Sequence, residues 1–206
     1  MAFTYPLTLP STPLPSQSKF RMRNAVAVVE SPFTLSTQKF EHQGKRWEAE
    51  IVLPPMRRAK AEAWIALVAK LQGAYGTFLM GDWDGRVPRG IATGTPLVNG
   101  AGQTGDTLIT DGWTNNRTGI LLAGDYLQLG TGATAQLYKV LEDANSGAST
   151  GPATFRIWPN LRTSPANNAA IVVQNTVGVF RLATDFEWDA NEVSSYGMRF
   201  LAVENL

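Results

Sequence analysis

The sequence predicts a mainly β, α+β fold in which a small β-barrel or sandwich is inserted into a larger sheet that carries one helix. Three observations lead there. Only one stretch has helical periodicity, strand-like runs precede and follow it, and residues 91–178 hold short strands between turns rich in Gly, Asn, Asp and Ser.

The chain opens on a proline-rich arm, with Pro6, Pro10, Pro13 and Pro15 inside residues 6–18. Proline fixes φ and donates no hydrogen bond, so an extended arm is expected. An arm of this kind orders by lying against something, a neighbouring subunit being one candidate. Strand-like runs follow at residues 24–30, 33–40 and 46–53. The third places Trp47, Ala49 and Ile51 on one face, and His42-Gln43-Gly44-Lys45 reads as the turn before it.

The helix is predicted over residues 56–72. Pro54-Pro55 pre-set its first turn, alanines supply propensity, and Gly73 ends it as a left-handed cap. Trp64, Leu67, Val68 and Leu71 form its apolar stripe, with Met56 and Ala63 at the edges. Residues 75–80 make the next strand. Residues 81–90, with three glycines and Pro88, read as a linker. Within 91–178 the strands fall at 91–98, 107–110, 126–130, 135–141, 153–158 and 170–176. Strand signals return at 180–183, 187–189 and 198–203. The predicted layout is therefore one unit from 1–90 and 179–206, with 91–178 inserted as a small barrel.

Bulk properties bound the function. Charged residues make up 17 % of the 206-residue chain, below the ~25 % of an average domain, as expected where surface is buried between copies. Net charge is +1, but residues 1–90 carry 12 Lys/Arg against 7 Asp/Glu while residues 91–206 carry 6 against 10. The sharper reading of that asymmetry is a basic face meeting an acidic one between subunits. No cysteine is present, which removes disulfides, thiolate metal sites and thiol nucleophiles. No apolar run approaches the ~20 residues of a membrane helix, and the first residues lack a signal-peptide pattern, so synthesis in a cytoplasm without membrane insertion is expected.

Catalytic constellations are not found. His42 is the single histidine and reads as a solvated surface residue. Asp82-Trp83-Asp84-Gly85 has the start of a calcium loop without its later glutamate. Asp185, Glu187 and Asp189 would share one strand face. The glycines from Gly100 to Gly105 miss the dinucleotide spacing and precede strands. The expectation is no enzyme, no cofactor and no metal. Among six tryptophans, Trp47, Trp64 and Trp158 read as packing. Trp83 and Trp113, in polar loops, are the candidates for a ligand or subunit interface. Arg57 and Arg58, on the polar side of the helix start, are the charged candidates for a subunit contact.

The order of elements and several local stretches resemble the distal tail protein family of long-tailed phages. The stretches are Ser31-Pro32-Phe33-Thr34, then Arg46-Trp47-Glu48-Ala49-Glu50-Ile51-Val52-Leu53-Pro54-Pro55-Met56, then Ala63-Trp64. Leu71-Gln72-Gly73-Ala74-Tyr75-Gly76-Thr77-Phe78, Ala123-Gly124-Asp125-Tyr126-Leu127-Gln128-Leu129-Gly130 and Ile157-Trp158-Pro159-Asn160-Leu161-Arg162 complete the set. The resemblance implies a virion structural protein at the distal end of the tail. Its core would be a β-sandwich belt domain with one helix, and its inserted barrel would be similar to an oligonucleotide- or oligosaccharide-binding fold. It implies a homo-hexameric ring that joins the tail tube protein to the baseplate hub and to tail fibre or receptor-binding proteins, with DNA passing the channel without specific binding. The alternatives from other classes are a carbohydrate-binding module of the tail tip and another tail or head-completion connector.

Overall fold

Strand pairing, not helix packing, organises the chain, as the alternation of apolar residues requires. The computed structural model describes residues 3–190 and 195–206. The strands in chain order are β1 (Leu7–Thr8), β2 (Gln17–Glu30), β3 (Thr37–Arg57), β4 (Thr77–Met80), β5 (Gly94–Val98), β6 (Gly105–Trp113) and β7 (Tyr126–Leu129). After them come β8 (Gln136–Val140), β9 (Ala153–Leu161), β10 (Ile171–Val172), β11 (Gly178–Leu182), β12 (Glu187–Ala190) and β13 (Ser195–Glu204). The single α-helix among the described residues, α1, spans Arg58–Leu71.

Two sheets result. The first has the order β1-β4-β11-β13-β3-β2, with β12 added to β13. The second has the order β10-β7-β8-β9-β6-β5. A bridge between Leu97 and Ala170 brings its two edges together as a small barrel. All barrel strands lie in sequence between β4 and β11, which pair directly with each other, Met80 opposite Gly178. The chain thus leaves the first sheet at one rung of a ladder and returns at the same rung. The mainly β class with one helix, read from the sequence, is the observed one.

Alternation along β3 buries Trp47, Ala49, Ile51 and Leu53. Phe200 and Ala202 stand directly opposite Ile51 and Ala49 and so share their face. α1 covers part of that face with Ala61, Trp64, Leu67 and Leu71. The barrel covers the rest with Tyr126, Leu137 and Trp158. The opposite face carries Lys19, Arg21, Glu48, Glu50, Arg199 and Leu201.

Several local expectations are corrected. Pro54 and Pro55 belong to β3, not to the first turn of the helix, because pairing with β13 carries the backbone through to Arg57. They sit where the register shifts between Tyr196 and Met198, a place where missing N–H donors cost little. The helix starts without a side-chain cap, and Arg58 Nε pairs with Glu62 at 2.9 Å instead. The left-handed cap is Gln72 (φ 53°), with Gly73 following it at φ 70°. Ala61, not Ala63, completes the buried stripe, and Val68 is only partly buried. The His42–Lys45 turn does not exist: these residues continue β3. The proline-rich arm lies on its own chain, with β1 parallel to β4 and the Tyr5 hydroxyl donating to Lys70 O at 2.6 Å.

Both crossings between the sheets are fastened to the start of β7. The Asp125 carboxylate accepts from the backbone N–H of Arg89 (2.9 Å), Gly90 (3.0 Å) and Leu122 (2.8 Å). The Tyr126 hydroxyl donates to Asp82 (2.9 Å), and Gln128 Oε1 accepts from Val177 N (2.8 Å). The crossings also bond each other, Asn175 N to Arg86 O at 2.7 Å. At Gly81 a side chain would meet Thr176 O at 1.9 Å, so only glycine permits the approach.

Two outcomes follow from this packing. Trp64→Ala is expected to lower stability by about 3–5 kcal/mol in denaturant unfolding, as for other buried tryptophans. Trp64→Phe is expected to cost markedly less, because Trp64 Nε1 is buried with no hydrogen-bond partner among the described residues. At Asp125, burial alone pushes the carboxyl up, but the three N–H donors and the Arg89 charge outweigh it and hold the group below its ordinary value. Its ionised form therefore adds stability that is fully present above pH ~4 and is lost as pH falls through the lowered folded value. Asp125→Asn is expected to be less stable than wild type at pH 6, with the gap narrowing at pH 3 in urea titrations.

Candidate interaction surface

The outer halves of β2 and β3 continue past the rest of the first sheet as a two-stranded hairpin. Its rungs run from Val26 opposite Glu41 to Glu30 opposite Thr37, beyond an irregularity between Asn24 and Val26. At ~3.3 Å per residue it projects about 20 Å. Residues 31–36 close the tip: Ser31 N donates to Ser36 O and Leu35 N to Ser31 O, each at 2.9 Å. Leu35 takes φ 55° there.

Apolar side chains occupy both faces of this hairpin. Ala27, Val29 and Phe40 share one face, Val26 and Val28 the other. None has a core behind it among the described residues. Phe33 at the tip is 94 % exposed, Leu35 71 %, Phe40 70 % and Val29 66 %. A lone two-stranded hairpin is marginal in water, and a strand apolar on both faces is normally covered on both. Both outer edges of this segment also lack a paired strand among the described residues. Such an edge is a template for another chain.

The four residues singled out from the sequence lie elsewhere and apart. Arg57 and Arg58 are exposed at the strand-to-helix junction, at the far end of β3 from the tip, and Arg58 is engaged by Glu62. Trp83 is half-buried in the first crossing and packs against the core of the first sheet. Trp113 corrects its loop assignment. It ends β6 at 3 % exposure, donates from Nε1 to Thr110 Oγ1 at 2.9 Å and packs on Phe155, so its ring fills the barrel and presents no face to a ligand. Glu187 and Asp189 are exposed on β12, and no cluster of three metal-ligating side chains forms among the described residues. Sequence reading missed the hairpin. Its signal was the run Ala25-Val26-Ala27-Val28-Val29, apolar without alternation.

No protein-family model matches the chain, and no curated protein sequence matches it.

Because the tip touches no core, Phe33→Ser combined with Leu35→Ser is expected to change unfolding free energy by no more than about 0.5 kcal/mol for each site. A chemical denaturation curve coincident with wild type is the result anticipated.

Proposed function

We propose that this chain is a structural protein of a phage tail, a distal tail protein that forms a ring of six copies between the tail tube and the baseplate hub and its receptor-binding fibres. The projecting hairpin is the observation that carries the reading. Exposed apolar side chains on both its faces, and two edges without a paired strand among the described residues, call for cover from another chain. A hairpin seated on a different patch of the next copy makes a heterologous contact, and such contacts form a ring where the rotation between copies closes. The charge asymmetry supports the same arrangement, since the first 90 residues are net basic and the remainder net acidic. In this reading the virion tail is where the protein resides, and DNA passes the ring without specific binding.

Mass measurement and negative-stain class averages of the purified protein test it. A sixfold ring is expected. Replacing residues 25–44 with an Asn-Gly turn is expected to give a folded monomer with the wild-type unfolding transition. A wild-type protein that stays monomeric at high micromolar concentration overturns the assembly reading, and a threefold particle overturns the stoichiometry.

A further inference from the structure

Opposite one residue of β2, Ala25, strand β3 spends three. The rungs pass from Asn24 opposite Lys45 directly to Val26 opposite Glu41, which leaves His42, Gln43 and Gly44 as a bulge. In a regular strand, Cα atoms four residues apart are separated by about 13 Å. The bulge folds that distance up, and Lys45 Nζ lies 2.7 Å from Glu41 Oε1. The same Nζ donates to Asn160 Oδ1 at 3.1 Å, across the joint between the first sheet and the barrel. From this meeting of amine, carboxylate and carboxamide we infer that Lys45 and Asn160 are a self-modification site, where the two side chains join as an amide between β3 and β9 and release ammonia.

Both reacting groups are held in place by their neighbours. Asn160 belongs to β9, two residues after Trp158, whose indole donates to Asn24 Oδ1 at 2.8 Å. Asn24 is the rung partner of Lys45 itself. On the other side the Lys45 carbonyl accepts from Arg162 Nη1 at 3.0 Å. Amine and carboxamide therefore meet on backbones already fastened to each other before and after the contact. Such positioning removes the entropy cost of bringing two reactants together. Water is largely kept from the amine, since the Lys45 side chain is 16 % exposed, and Asn160 is half-buried.

The carboxylate supplies the proton transfers. An ammonium has no lone pair, so Glu41 first takes a proton from Lys45 Nζ. The Nζ lone pair then attacks Asn160 Cγ, and the carbonyl electrons move onto Oδ1. As the carbonyl re-forms, the Cγ–Nδ2 bond breaks, and Glu41 returns its proton to the departing Nδ2. Over the whole step one Nζ–Cγ bond replaces one Cγ–Nδ2 bond. Nζ gives up two protons, and the former amide nitrogen leaves with both of them as ammonium. No oxidant, metal or co-reactant enters. Freshly folded protein carries the two side chains unlinked, as in the geometry above, and the bond accumulates with time. The inference is independent of the ring, since all three residues belong to one chain.

Intact-mass spectrometry of the purified full chain, followed over time at mildly alkaline pH, reads the reaction directly. A species lighter by one ammonia is expected to accumulate. Trypsin is then expected to release a branched peptide, residues 40–46 joined to residues 157–162, because a lysine in amide linkage is no longer cleaved. Lys45→Arg keeps a donor and a charge, and Asn160→Ala removes the electrophile; both are expected to stay at full mass and give separate peptides. Glu41→Gln changes an exposed side chain and is expected to fold, by circular dichroism, yet to form the lighter species at least tenfold more slowly. Three results overturn the proposal: a wild-type mass that stays at the sequence value, a loss of ammonia that survives in Lys45→Arg or maps to other peptides, or an undiminished rate in Glu41→Gln.

Discussion

The indole of Trp47 is the point on which the two sheets meet. It is 1 % exposed, and neither sheet buries it alone. Phe20 of the first sheet meets it edge-on at 6.0 Å, and Trp158 of the barrel does so at 4.6 Å. Its Nε1–H donates to Leu137 O of the barrel at 2.9 Å, and its backbone N–H donates to Glu204 at 2.8 Å. Burying a ring of this size yields about 4–6 kcal/mol of transfer free energy as an upper figure, comparable with the whole stability of a small domain. Polar contacts then fix the orientation that burial leaves open. Arg162 reaches from the end of β9 to the Glu204 carboxylate and to Lys45 O, Lys45 bonds Asn160, and the Trp158 indole donates to Asn24. Burial of Glu204 pushes its carboxyl up despite Arg162 and the Trp47 N–H, so its ionised form is tolerated here and not favoured.

Most strands and the helix were legible, because each rests on local periodicity or turn chemistry. Trp64, Leu67 and Leu71 are buried as their spacing requires. What was not legible depends on pairing across long sequence separations. His42-Gln43-Gly44-Lys45 has the composition of a turn, yet it continues a strand, because β2 supplies a ladder that the local sequence does not announce. Pro54-Pro55 has the composition of a helix start, yet β13 holds it extended. Trp113, set among Gly, Thr and Asn, is buried because the barrel closes around it and Thr110 satisfies its donor.

The candidate surfaces divide along the same line. Trp83 was legible as an aromatic in a polar stretch. Its packing against the core of the first sheet was not, since that depends on how the first crossing folds back onto the sheet. The hairpin was the harder case. Its valines and Phe40 read as core from the sequence, and the fold reveals that no core among the described residues reaches them.

The place where the barrel is threaded has a further consequence. Met80 and Gly178 are neighbours on one ladder, about 5 Å apart, so the first sheet is already complete before anything is placed between them. A two-residue turn or a module of any length whose ends lie that close would satisfy the same rung. The length and identity of what is housed there are uncoupled from the order of the first sheet's strands. Over generations such a socket lets one scaffold exchange its passenger, provided the newcomer brings a surface that seals Trp47.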